Sequence, residues 1–319
     1  MADQSEIEIG PDYVRAAEFA VRPGVPAGRI HAFTMHSRES KFYPGIRRLE
    51  NEITRRRDPW GNRIAAAEHE QSEPYPYTRT VWVYVPPHVE ADAPFMVIQD
   101  GYGYMRIMPP VLDNLIADER IPRLAAIFVD NGGGDAQGSQ RGLEYDTLSA
   151  HYADFIEAAV IPRVEGECCI TLTKNPDRRV AMGASSGAAC AFTMAWYRPE
   201  FYRRVLGYSC TFVNQQSPPN AETPRGAWEY HATIVPHTER KPIRVWMEVG
   251  EKDLHHDDPE ESWHNWPLAN RRMAEVLKAK GYDYRFTFSR GARHVDPRVL
   301  EETLPGALEW VWRGYRAGD

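Results

Sequence analysis

The chain has 319 residues, 42% of them hydrophobic, with 45 acidic residues against 38 basic ones and a formal net charge of −7. That is enough apolar material for one large folded core, and the interspersed charges exclude a disordered chain, a basic face for nucleic acid and a polybasic tail for anionic lipid. No apolar run approaches the roughly 20 residues that a membrane-spanning helix needs.

The first residues, MADQSEIEIGPDYVRAAEF, carry acids where a secretion signal needs positive charge followed by an apolar stretch. An intracellular, cytoplasmic protein is expected. The cysteines point the same way. Cys168 and Cys169 are adjacent, Cys190 and Cys210 sit in apolar surroundings, and none forms a C-x-x-C pair. They read as reduced thiols, with no zinc site.

In chain order, a strand is predicted over 29–35 (RIHAFTM), followed by a Pro- and Arg-rich polar excursion over 43–76. The Arg55-Arg56-Arg57 run in that excursion has no accompanying aromatic series and reads as a solvated loop. Residues 1–78 are therefore taken as an N-terminal extension, and residues 79–319 as one compact α/β unit. Strands are predicted over 79–85, 95–99 and 124–129, with a helix over 111–117. A helix over 147–164 follows, then a strand over 179–182 and a helix over 188–197. Strands over 205–209, 243–249 and 284–289 complete the pattern, with helices over 267–280 and 297–315. Continuous apolar strands alternating with helices indicate a mostly parallel central sheet with helices on both faces. In such sheets the chemistry collects at the C-terminal strand ends.

The strand over 179–182 runs into Gly183-Ala184-Ser185-Ser186-Gly187, a G-x-S-x-G turn that opens an alanine-rich helix. The string alone arises by chance in roughly one chain in ten of this length. Its strand-turn-helix setting is that of a nucleophile elbow, in which a tight turn lifts the serine hydroxyl clear of the sheet edge. Ser185 is the candidate nucleophile. A serine hydroxyl needs an imidazole base, and the imidazole needs an acid to hold its tautomer. Asp253 follows the strand over 243–249, and His294 follows the strand over 284–289. Glu248, Glu251, Asp257 and Asp258 compete for the acid role, but Glu248 lies within the strand and the others are displaced from the Gly250 turn.

An oxyanion needs two N–H donors. Ser186 supplies one, and the Asp100-Gly101-Tyr102 turn supplies the other, with Tyr102 as donor and Gly101 allowing close approach. Tyr102, Tyr104, Trp228, Tyr230, Trp263 and Trp266 lie in loops after strand ends and are candidates for lining a substrate pocket, and Arg141 is a candidate contact for an anionic substrate, with pairing to Glu144 as the equal alternative. Asn131-Gly132-Gly133-Gly134-Asp135 lacks the lysine and hydroxyl of a phosphate loop and reads as a rim loop. Adjacent histidines in His255-His256-Asp257-Asp258 point in opposite directions, so no metal is expected.

The VYVPP strand, the VIQDG loop, Arg141 with Glu144-Tyr145, GASSGA, VGEKD and His294 together resemble the Putative esterase family of α/β hydrolases. That family includes enterochelin, feruloyl and acetyl-xylan esterases, S-formylglutathione hydrolase and mycolyltransferases, and the enterochelin-esterase-like branch is the most similar. The resemblance implies an α/β-hydrolase fold and a cofactor-free serine esterase with Ser185, Asp253 and His294 as its triad. The N-terminal region is too short for the full β-sandwich domain of typical enterochelin esterases, so the substrate stays open among siderophore, hydroxycinnamoyl and sugar esters. An acyltransferase would share every one of these residues, whereas a binding protein on the same scaffold would not need all three. The expected partner is a small-molecule ester. A homo-oligomer is allowed but not specified.

Overall fold

The computed structural model describes residues 5–49, 71–135 and 138–315. Its strands are β1 (Glu6–Ile9), β2 (Arg29–His36), β3 (Ile46–Leu49), β4 (Gln71–Pro74), β5 (Thr78–Val85), β6 (Phe95–Gln99), β7 (Ala125–Val129), β8 (Arg179–Ala184), β9 (Arg204–Tyr208), β10 (Arg244–Lys252) and β11 (Asp283–Arg293). Nine of them form one sheet in the order β1-β11-β10-β9-β8-β6-β7-β5-β2, and β3 and β4 form a separate hairpin. Pairing is parallel from β1 across to β7 and antiparallel at β7-β5 and β5-β2.

The four strands FMVIQ, AAIFV, RVAMGA and RVLGY are buried at every position, which is what a parallel sheet covered on both faces requires. The helices that cover it are α1 (Gly101–Met105), α2 (Met108–Ala117), α3 (Gln140–Tyr145), α4 (His151–Phe155), α5 (Ile161–Cys168), α6 (Ser186–Tyr197), α7 (Val235–His237), α8 (Trp266–Ala279) and α9 (Pro297–Trp312). Along β8 the side chains alternate between two cores. Ala181 faces the core built with α4, α5, α6 and α8, while Val180 and Met182 face the one built with α2 and α9. This is the α/β-hydrolase arrangement.

Several elements differ from the sequence expectation. The N-terminal residues contribute β1 to the sheet, paired with β11, as well as β2 at the opposite edge. The excursion over 43–76 contains the β3-β4 hairpin, and its Arg55–Arg57 run lies outside the described residues. The helix expected from 147 starts at His151 and carries a π-helical turn at Ile156–Val160. No helix among the described residues is long and apolar enough to cross a membrane.

A buried ion pair ties α3 to β5. Arg79 Nη1 and Nη2 each donate to Glu144 at 2.8 Å, and Tyr77 Oη and Gln140 Nε2 donate to the same carboxylate at 2.9 and 2.8 Å. Arg141, one turn away, pairs with Asp100 instead, so the sequence-level pairing of Arg141 with Glu144 is not formed.

Candidate active site

Ser185 stands between β8 and α6 with φ 55° and ψ −128°, a backbone conformation that is costly for any residue except glycine. The flanking glycines permit the turn. A Cβ on Gly183 would lie 2.4 Å from the Gly187 backbone, and one on Gly187 would lie 3.1 Å from Gln99 Cβ. Ser185 N–H donates to Tyr208 O at 2.9 Å, Thr211 N–H donates to Ser185 O at 3.3 Å, and Ser185 Oγ lies 3.4 Å from Thr211 Oγ1. The last residue of β9 and the segment that follows it therefore hold Ser185 from both its N–H and its carbonyl.

The same segment reaches the last strand-end loop, because Val295 N–H donates to Ser209 Oγ at 2.9 Å. Beside Val295, His294 Nδ1 lies 2.5 Å from Asp253 Oδ1. Asp253 is buried, and Leu254 N–H donates to the same oxygen at 2.6 Å. The competing acids are engaged elsewhere. Glu251 accepts Gly291 N–H at 2.8 Å, Asp257 lies against His256, and Asp258 lies against His255. Glu248 is buried below this loop. Burial pushes its carboxyl up to about 8, helped by repulsion from Asp253 and Asp296 and opposed by Ser289 and the Ser209 backbone.

On the other side of the elbow, Gln215 Nε2 donates to both Ser186 Oγ (2.9 Å) and Asp146 Oδ2 (2.8 Å). Burial pushes the Asp146 carboxyl up to about 6, against the pull of Gln215, Arg141 and Ser186. Ser186 begins α6, so its N–H is a first-turn amide with no intrahelical partner.

The Asp100 turn differs from expectation in one respect. Tyr102 N–H is taken by Asp130 Oδ1 at 3.0 Å, and Asp100 N–H by Tyr145 Oη at 3.0 Å. Gly101 N–H is the amide of this turn left without a partner among the described residues. Gly101 itself is obligatory, because a Cβ there would lie 2.4 Å from Phe128 C and 2.5 Å from Val129 N.

The expected pocket residues divide by burial. Trp263 (38% exposed) and Tyr102 (52%) stand at the surface, Trp263 beneath the Arg225 guanidinium and Tyr102 between Trp82 and Arg106. Trp228 (1%), Tyr230 and Tyr104 are core residues, because burying a large ring gains more than exposing it to an open cleft. Trp266 is also buried, its ring meeting His294 edge-on at 5.9 Å and stacking with His255. Arg141 is held by Asp100 (2.8 and 3.1 Å) and by Asp135 (3.4 Å). Sequence reasoning passed over Thr211, Ser209, Asp146 and Gln215, and no local pattern marks them, since each acts through residues distant in the chain.

Residues 72–308 match the family model described as Putative esterase. The fold resembles that of the enterobactin esterase of Shigella flexneri, with a TM-score of 0.56 at 18% identity, over 74% of this chain and 56% of that one. It also resembles the ferulic acid esterase AmCE1/Fae1A of Anaeromyces mucronatus, with a TM-score of 0.57 at 11% identity, over 94% and 96% of the two chains. A further ferulic acid esterase gives a TM-score of 0.55 at 13% identity, over 90% and 98%. The chain thus spans little more than half the length of the enterobactin esterase. No curated protein sequence matches it.

Proposed function

The chain belongs to the Putative esterase family, a family of ester hydrolases, and from that premise we propose that it cleaves carboxylic esters through an acyl intermediate on Ser185. The observation that carries this reading is the Asp253–His294 pair at 2.5 Å, tethered to the same post-β9 segment that holds the strained Ser185 elbow. Asp253 keeps the proton on His294 Nδ1, leaving Nε2 to accept the Ser185 proton as Oγ attacks the ester carbonyl. The carbonyl oxygen gains negative charge and is met by the N–H groups of Ser186 and Gly101. His294 then gives its proton to the leaving alcohol, the C–O bond breaks, and a water activated by the same imidazole releases the acid.

The substrate class we favour is an ester bearing an aryl group. Tyr102 and Trp263 keep part of their rings exposed in loops after strand ends, which supplies aromatic surface for an aryl group. The similar structures are named as enterobactin and ferulic acid esterases, both of which suit the same choice.

The test is p-nitrophenyl acetate hydrolysis by wild type and Ser185→Ala, with fluorophosphonate labelling read by intact mass. Turnover and a single adduct, both lost in the variant, are expected. A folded wild type that neither turns over nor labels would sink the serine mechanism. Feruloyl, catecholate and acetylated-sugar esters then test the aryl preference, which fails if the acetylated sugars give the highest kcat/KM.

A further inference from the structure

Five of the ten non-glycine residues with positive φ among the described residues lie at one edge of the sheet. Asp100 (φ 54°), Ser185 (55°), Ser209 (48°), His255 (55°) and Val295 (47°) all follow the C-terminal ends of strands. Val295 is the most unfavourable of them, because a β-branched side chain in this region is a genuine outlier. Such a conformation persists only where the surroundings impose it. Among the described residues, the Val295 side chain packs against the core built with α2 and α9, and its N–H, the polar group of the strained unit, is donated to Ser209 Oγ at 2.9 Å. Ser209 is itself fully buried, and its own N–H is spent on Glu248 O at 2.8 Å, in the strand that leads to Asp253. One residue therefore joins three parts of the site, its backbone N–H reaching the acid-bearing strand and its hydroxyl reaching the residue next to His294, from within the segment holding the Ser185 elbow.

We propose that Ser209 is a positioning residue for His294: its hydroxyl clamps the Val295 amide, holds that residue in its strained conformation, and so fixes the imidazole between Asp253 and Ser185. The inference rests on the reading of His294 as the base. It makes a specific demand on the neighbouring position. If the clamp works by imposing a left-handed backbone on Val295, a glycine there, which adopts that backbone without strain, lessens the need for the clamp.

The experiment compares wild type, Ser209→Ala and Ser209→Ala/Val295→Gly for p-nitrophenyl acetate kinetics, fluorophosphonate inactivation rate and the downfield proton resonance of His294 Nδ1. Ser209→Gly replaces Ser209→Ala if the latter does not fold. Ser209→Ala should lower kcat by about 10- to 100-fold, the scale of a displacement of about 1 Å, with KM within about twofold. Fluorophosphonate inactivation should slow in parallel, and the Nδ1 proton should shift or broaden. Val295→Gly in the Ser209→Ala background should restore part of kcat and sharpen the resonance. Wild-type kcat in Ser209→Ala, or a loss that Val295→Gly does not recover, would overturn the proposal. If wild type neither turns over nor labels, the hydrolase reading fails by itself. The Nδ1 resonance, read without substrate, then decides the clamp, and an unchanged resonance in Ser209→Ala overturns it.

Discussion

Asp253 directs one carboxylate oxygen, Oδ1, at both His294 Nδ1 and Leu254 N–H, while its Oδ2 is buried without a partner among the described residues. The acid is thus committed to a single contact with the imidazole. In Asp253→Asn the amide oxygen keeps Leu254 N–H and the imidazole loses the negative charge that stabilises its protonated form, so kcat should fall by up to about 10⁴ with the fold intact. Glu251→Gln and Asp257→Asn should stay within a few-fold of wild type. Steady-state kinetics of the three variants check this, and a nearly active Asp253→Asn would reassign the acid.

Gly101 is pressed against the backbone of β7, so Gly101→Ala must move the turn that carries its amide. Loss of one oxyanion donor costs on the order of 10²-fold in kcat. The expected result is a kcat loss of that size with KM little changed, and a lower melting temperature. Unaltered kcat in Gly101→Ala would remove its amide from the oxyanion site.

The Arg79–Glu144 pair is almost wholly shielded from solvent. Removing one partner leaves an uncompensated buried charge, and Glu144→Ala should lose about 3–5 kcal/mol in urea unfolding. Replacing both, as in Arg79→Met/Glu144→Leu, should recover most of that loss. A single variant as stable as wild type would contradict the burial of the pair.

Glu248 gives a pH signature of known sign. Its carboxyl is pushed up to about 8 in the folded chain, chiefly by burial, so between the ordinary carboxyl range and about 8 the folded state holds a proton that the unfolded state has released. This contribution is full below the ordinary range and is lost as pH rises through about 8. The melting temperature of wild type should therefore decline across that window more steeply than that of Glu248→Gln. Parallel curves from about pH 5 to 9 would show that Glu248 ionises normally.

How much could be read from sequence depended on the range of the interaction. The Ser185 turn was legible because its glycines and its strand-to-helix change lie within a few residues. Asp253 and His294 were legible as strand-end residues because Val245-Trp246-Met247 and the alternating Tyr284, Phe286 and Phe288 mark β10 and β11 as strands. The engagement of Tyr102 N–H by Asp130 was not, since it depends on how the ends of β6 and β7 meet. Burial separated Trp228 from Trp263, although both are tryptophans in strand-end loops, and only packing decides such cases. Strand β1 escaped notice because EIEI is short and largely exposed, and its partner lies at the far end of the chain.

That last pairing sets an order of events during synthesis. Glu6 and Tyr284, which bond across β1 and β11, are separated by 278 residues. At ribosomal speeds of 5–20 residues per second, β1 waits roughly 14–56 s for its neighbour to be made. The parallel strands β6 to β10 are translated in the meantime. The N-terminal strand is thus a late closure on a sheet that must already be standing, and nascent chains halted before residue 283 should leave it open to protease.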